Sequence, residues 1–137
     1  MARKKVKRDY IYAVGRRRVA SARVRLYKGK KESLVNGKLI GEYFPGEVMR
    51  TRWTKPFEVA GVFEKYYVTV KVEGGGKWGQ LDAVVHGISR ALAKADPEKF
   101  RAVIKKEGLL TRDHRKRERR MVGTGGKARR KKQSPKR

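Results

Sequence analysis

The sequence predicts an α+β fold: a single two-layer domain with helices packed on one face of a sheet, trailing a long basic extension. Three observations predict it. Segments of period-two alternation come first, and segments of helical spacing come after them. Glycine-rich and Asn-Gly turn signals separate these segments. Charge is also segregated along the chain. Residues 1–30 hold 12 Lys and Arg against one acid, residues 31–111 hold 14 against 10, and residues 112–137 hold 13 against two. The chain therefore divides into a basic N-terminal segment at 1–9, a globular α+β domain at 10–110 and an extended basic tail at 111–137.

The first strands are read from alternation. Tyr10, Tyr12 and Val14 alternate with Ile11 and Ala13. Ala20, Ala22, Val24 and Leu26 then take every second position, with Val19, Ser21, Arg23, Arg25 and Tyr27 on the opposite face. Gly29 marks a turn, residues 32–35 form a short third strand, and Asn36-Gly37 closes it. Leu39, Ile40, Tyr43 and Phe44 have the spacing of a short helix ended near Pro45. A second helical piece covers residues 48–54, with Pro56 opposing continuation through Lys55. Trp53 and Phe57 read as packing residues. Residues 66–73 are the clearest strand, with Tyr66, Val68, Val70 and Val72 on one face. A helix over residues 78–95 carries the apolar stripe Leu81, Val84, Val85, Ile88, Ala91 and Leu92, with His86 at its edge. Asp96-Pro97-Glu98 caps a further helix whose buried face is Phe100, Val103 and Ile104, and Gly108 stops it. About four strands and two main helices therefore supply one core.

The tail is of a different kind. From residue 112 onward its aliphatic residues are Met121, Val122 and Ala128, spaced by Gly123, Gly125 and Gly126. It cannot bury enough apolar area to offset an ordering cost of roughly 1–2 kcal/mol per residue, so it is expected to order only on a partner.

Composition narrows the partner. The 137 residues carry 39 Lys and Arg against 13 Asp and Glu, a net charge of +26. Like charges at this density oppose compaction, which suits a protein that works beside a polyanion. A membrane partner is disfavoured, because no stretch approaches the ~20 apolar residues of a span. There is no cysteine, and the two histidines, His86 and His114, stand too far apart to begin a zinc site. Residues 74–80 read Gly-Gly-Gly-Lys-Trp-Gly-Gln, which matches neither the P-loop nor the dinucleotide fingerprint. Asp82 and Glu73 are the acids near this junction, so no catalytic constellation forms and neither enzyme activity nor a cofactor is expected. The glycines allow a sharp turn or a close backbone approach, with an RNA phosphate as one candidate for what approaches. Nucleic acid is the favoured partner. A free nucleic-acid chaperone or DNA-compacting protein shares the charge but has no need of the glycine junction.

The motifs taken in order resemble a known family. Residues 12–18 read Tyr-Ala-Val-Gly-Arg-Arg-Arg ahead of an Ala-rich strand, and Val35-Asn36-Gly37 forms a turn. Gly-Gly-Gly-x-x-Gly-Gln at 74–80 precedes Ala83, Gly87, Ser89, Arg90 and Ala91. Thr111-Arg112-Asp113-x-Arg115-x-x-Glu118-Arg119-Arg120 comes next, then Lys127-Ala128-Arg129-Arg130 and Lys136-Arg137. Together they resemble the universal small-subunit ribosomal protein family numbered nine, of bacterial type, from about residue 10 to residue 137. The resemblance implies a fold similar to the second domain of ribosomal protein S five, with a left-handed β-α-β crossover. It implies a place in the head of the small subunit of the cytoplasmic ribosome, among neighbouring head proteins, with rRNA and not DNA as the main partner. It also implies a tail that reaches the peptidyl-site tRNA.

The expected rRNA-binding residues are Arg16, Arg17, Arg18, Arg23 and Arg25 on the first hairpin, and Gly75, Lys77 and Arg90 around the glycine junction and its helix. Arg112, Arg115, Arg119, Arg120, Lys127, Arg129, Arg130, Lys131 and Lys132 continue them along the tail. Lys136 and Arg137 are the expected tRNA contacts. Lys and Arg neutralise phosphates, and Arg adds bidentate contacts and stacks on unpaired bases.

Overall fold

The structure is a computed structural model that describes residues 7–135. Ile11–Arg17 (β1) and Ala20–Lys28 (β2) pair antiparallel as a hairpin. Ala20, Ala22, Val24 and Leu26 are buried, and Arg23 and Arg25 project from the opposite face, as alternation requires. Leu34–Val35 (β3) and Lys38–Leu39 (β4) form a short antiparallel pair. Tyr66–Glu73 (β5) pairs antiparallel with the free edge of β2, pairs parallel with β3, and buries Val68, Val70 and Val72. Among the described residues the sheet therefore has five strands in the order β1-β2-β5-β3-β4.

Two departures from the sequence reading concern this short edge. The third strand begins at Leu34 and not at Glu32, because the Ser33 hydroxyl accepts the Val68 N–H at 3.2 Å where a backbone carbonyl would otherwise pair. The strand β4 is too short to show alternation. It arises because Asn36 and Gly37, at φ 51° and 81°, turn the chain back on itself. The Asn36 side chain fixes this turn to β5, accepting from the Val72 N–H at 2.9 Å and donating to the Val72 carbonyl at 3.0 Å.

Ile40–Tyr43 forms the short helix α1, and Glu47–Ala60 forms α2. The sequence reading stops this second helix before Pro56, yet α2 runs through it. Proline forfeits one N–H, but its fixed φ suits a helix. Its ring is fully buried, so apolar burial offsets part of the lost bond. The helix ends where Gly61 adopts φ 67°: Gly61 N–H donates to the Glu58 carbonyl and Val62 N–H to that of Phe57.

Lys77–Ala95 (α3) buries Leu81, Val84, Ile88, Ala91 and Leu92, while Val85 is half-buried. Asp96 then accepts the Lys99 N–H at 3.3 Å with Pro97 in the first turn. A wide π-type turn, Pro97–Arg101, leads from there into Ala102–Lys106 (α4). Such a turn adds a residue to the helical repeat and rotates the next segment about the helix axis. Ile104 is fully buried as a result, whereas Val103, expected inside, is 43% exposed. Gly108 at φ 73° closes α4, with Gly108 N–H on the Lys105 carbonyl and Leu109 N–H on that of Ile104.

The helices thus cover one face of the sheet, and the other carries exposed Arg23, Arg25 and Lys71. Helix α3 sits unusually close to the hairpin, at Gly15 and Gly87. A Cβ built on Gly87 would stand 2.5 Å from Val24 Cγ2 and 3.1 Å from the Gly15 nitrogen.

Candidate nucleic-acid interface

The open sheet face is the first basic surface. Antiparallel register sets Arg25 between Tyr12 and Thr69, and Arg23 between Val14 and Lys71. Beside them runs an aromatic row that sequence spacing does not reveal, because its members are distant along the chain. Tyr27 stacks on Tyr67 with ring centroids 5.1 Å apart, Tyr10 lies 5.6 Å from Tyr27, and the Arg25 guanidinium sits 5.1 Å over Tyr10. The strand fixes where both arginines start, and the Tyr10 ring holds the Arg25 guanidinium in place, which lowers the side-chain entropy Arg25 loses on binding.

The glycine junction has a structural cause. Gly74 and Gly75 adopt φ 76° and 66°. A Cβ on Gly74 would approach the Val19 carbonyl to 2.7 Å, and one on Gly75 would approach the Ala20 Cβ to 3.2 Å. The loop therefore lies directly against the β1–β2 turn, where Arg18 stands exposed at φ 53°. Lys77 is engaged within the domain: its Nζ donates to the Tyr43 carbonyl at 3.1 Å and lies 3.4 Å from the Tyr43 ring centroid. The Tyr43 hydroxyl donates to Gln80 Oε1 at 2.6 Å, and Gln80 Nε2 donates to the Gly74 carbonyl at 3.1 Å. Arg90 is exposed, with one guanidinium nitrogen on the Val14 carbonyl.

Where the tail leaves the domain, carboxylates and guanidiniums alternate. Arg52 donates to Asp82 Oδ1 at 3.1 Å, and Arg17 Nε stands 3.6 Å from Asp82 Oδ2. Arg17 also pairs with Asp113, which accepts from Arg115 Nη2 at 2.8 Å. The Arg17 side chain is only 12% exposed. It therefore joins the first hairpin to the root of the tail, while its neighbours Arg16 and Arg18 face solvent. The side-chain and backbone hydrogen bonds from Arg115, with the nearby Arg17 charge, hold the Asp113 carboxyl far below the usual carboxylate range. Sequence spacing shows the Arg-rich turn and the later Thr-Arg-Asp, but not that the fold pairs them.

His86 fastens the same region. Its Nδ1 accepts the Arg16 N–H at 3.4 Å, and its Nε2 lies 3.3 Å from the Leu110 carbonyl. A neutral ring with the proton on Nε2 satisfies both contacts. Burial lowers its pKa below 6.5, and the Arg90 and Arg112 charges add to this against the opposing Leu110 bond. The sign is then fixed: protons bind the unfolded chain more readily, so His86 contributes stability above about pH 6.5 that fades as pH falls from there towards the depressed folded pKa. Urea midpoints measured between pH 7 and pH 5.5 are expected to fall with acidity, and His86→Gln should flatten that fall. An equal slope in both proteins would contradict this role.

Beyond α4, residues 107–135 contain no helix or strand. Arg112, Arg115, Arg119, Arg120, Lys127, Arg129, Arg130, Lys131 and Lys132 are all exposed there, with Arg129 hydrogen-bonded to Gln133. Lys136 and Arg137 lie outside the described residues. Among the described residues, no group of His and acidic side chains could hold a metal ion. No described helix is long and apolar enough to cross a membrane.

A mixed α+β domain with an open cationic sheet face and an exposed basic tail defines a candidate polyanion-binding protein. The model of the family described as ribosomal protein S9/S16 matches residues 15–137, and the chain belongs to that family. The small ribosomal subunit protein uS9 of Maridesulfovibrio salexigens is 46% identical over 119 residues, covering 87% of this chain and 91% of that protein. The uS9 protein of Desulfovibrio desulfuricans is 46% identical over 112 residues, covering 82% and 85%. That of Cutibacterium acnes is 45% identical over 111 residues, covering 81% and 64%.

Proposed function

We infer that the chain is a structural constituent of the small subunit of the cytoplasmic ribosome, bound to rRNA in the subunit head among neighbouring head proteins. Arg16, Arg18, Arg23 and Arg25 supply phosphate contacts from the hairpin, and Gly75, Lys77 and Arg90 line the junction beside it. Arg17 acts less by touching RNA than by holding Asp113 and hence the root of the tail. From Arg112 to Lys132 the tail runs along rRNA, with Arg115, Arg119, Arg120, Lys127, Arg129, Arg130 and Lys131 on the route. Lys136 and Arg137 reach the peptidyl-site tRNA. Such contacts position a backbone without reading its sequence, which suits a site that receives every elongator tRNA. The unit from β3 through α2 to the parallel strand β5 corresponds, in this reading, to the left-handed β-α-β crossover of the S five second-domain fold.

The observation that carries this reading is the separation of cations from the core. Exposed Arg23, Arg25 and Lys71 stand on the open sheet face, and the extended segment from residue 112 onward carries exposed Lys and Arg with few acids between them. The test is removal of Lys136 and Arg137. Small subunits should assemble normally, and peptidyl-site tRNA affinity should fall about tenfold, the effect of a charged hydrogen bond of roughly 1.5 kcal/mol. Equal tRNA affinity in truncated and full-length subunits would contradict the tip contact.

A further inference from the structure

We propose that Trp78 is a stacking platform for an unpaired RNA base, with Arg52 fixed behind it. The inference rests on the RNA-binding reading above and names a ligand chemistry and a site within it.

The Trp78 indole is 51% exposed on the first turn of α3, ahead of the buried stripe that begins at Leu81. The Arg52 guanidinium lies 5.3 Å from its ring centroid. Asp82 stands one helical turn beyond Trp78, so both lie on the same side of α3. One guanidinium therefore covers the indole and donates to Asp82 Oδ1 at 3.1 Å. Asp82 is held in turn by Arg17, which is tied to Asp113. The cation behind the ring is thus anchored to the domain at a second point. Among the described residues no aromatic ring stacks on Trp78, and Arg52 is the one cation placed over it.

The surroundings select the ligand. Lys77 precedes Trp78 in the chain, and exposed Arg18 occupies the turn against which the glycine loop packs. A polyanion is therefore favoured nearby, while the indole itself offers a flat apolar face. An unpaired nucleotide combines a phosphate with a free base face, whereas an A-form duplex keeps its bases stacked internally. Single-stranded or bulged RNA is the class that fits.

The test uses the full chain carrying Trp53→Phe, which leaves Trp78 as the sole indole. It is titrated with a single-stranded oligoribonucleotide, with an RNA duplex of equal length and with polyphosphate. The single strand should quench the indole emission more than the duplex does, and polyphosphate, which binds through charge alone, should not quench it. Independently, Trp78→Ala in the otherwise native chain should weaken single-strand binding, measured by anisotropy of a labelled oligonucleotide, about tenfold. Trp78→Phe should recover most of that loss, and polyphosphate binding should stay unchanged. Quenching by polyphosphate equal to that by the single strand would overturn the proposal. So would undiminished RNA affinity in Trp78→Ala, which leaves the general RNA-binding reading intact. Failure of every RNA to bind would overturn both. Loss of a ribosomal protein contact in Trp78→Ala, with RNA binding unaltered, would assign the ring to a protein partner and overturn stacking.

Discussion

Replacing Gly15 with alanine is expected to destabilise the domain by about 3 kcal/mol or more, enough to unfold a protein of ordinary stability in part. Gly15 lies in β1 opposite Ala22, against α3 at Ala83 and Gly87. A Cβ there would overlap the Ala83 carbonyl and the backbone of Gly87. No positive φ is involved, so the cost is steric rather than conformational. Because the obstructing atoms are backbone, no rotamer change relieves it. Helix α3 would have to lift from the sheet, opening the contacts of Leu81, Val84 and Ile88, which are fully buried. Gly41→Ala is the control. Gly41 lies in α1, where an added methyl group would meet nothing within 4 Å, and a change within about 0.5 kcal/mol is expected. Urea denaturation of the two variants measures the difference, and coincident midpoints would contradict the backbone contact.

The parts of the fold legible in the sequence are those where one periodicity runs long enough to average out local exceptions. Alternation from Ala20 to Leu26 and from Val68 to Val72 identifies the inward faces correctly, since each strand is half-buried. The nineteen-residue α3 shows its stripe for the same reason. What escapes is short or depends on partners distant in sequence. The two residues of β4 have no period, and their pairing depends on the Asn36 side chain bonding to Val72. Pro56 is read locally as a stop, but tertiary burial of its ring outweighs the missing N–H. Val103 is misassigned because the sequence does not announce the wide turn that precedes it.

The candidate interface divides in the same way. Strand alternation identifies Arg23 and Arg25 as outward cations, and the structure leaves them exposed. Adjacency in sequence makes Arg16, Arg17 and Arg18 look equivalent, but Arg17 is drawn inward by Asp82 and Asp113. A carboxylate so distant in the chain cannot be paired with it by spacing alone. The tyrosine row is hidden likewise, since strand register, not sequence order, brings Tyr10, Tyr27 and Tyr67 together. Lys77 shows the reverse case: a lysine in a glycine loop suggests a phosphate contact, and the fold also provides it with a carbonyl and an aromatic ring.

Truncation after Lys116 is expected to have the largest effect on RNA binding while sparing the fold. It removes residues 117–137, with ten Lys and Arg against the single acid Glu118, and retains Asp113 and Arg115 beside Arg17. The described part of the removed segment contains no helix or strand, so thermal stability should change by no more than about 0.5 kcal/mol. RNA binding should change in both strength and salt response. Each lost phosphate contact lowers the slope of log affinity against log salt by roughly 0.7–0.9. If about six of these cations engage phosphates, the slope falls by about 4–5 and low-salt affinity drops by at least about 100-fold. The binding that survives belongs to the domain and should depend in part on Arg23 and Arg25, so that Arg23→Gln with Arg25→Gln weakens it further and lowers the slope by roughly another 1–2. An unchanged slope after truncation would mean that the tail's charges stay solvated in the complex, and the sheet face would then have to carry the electrostatic binding alone.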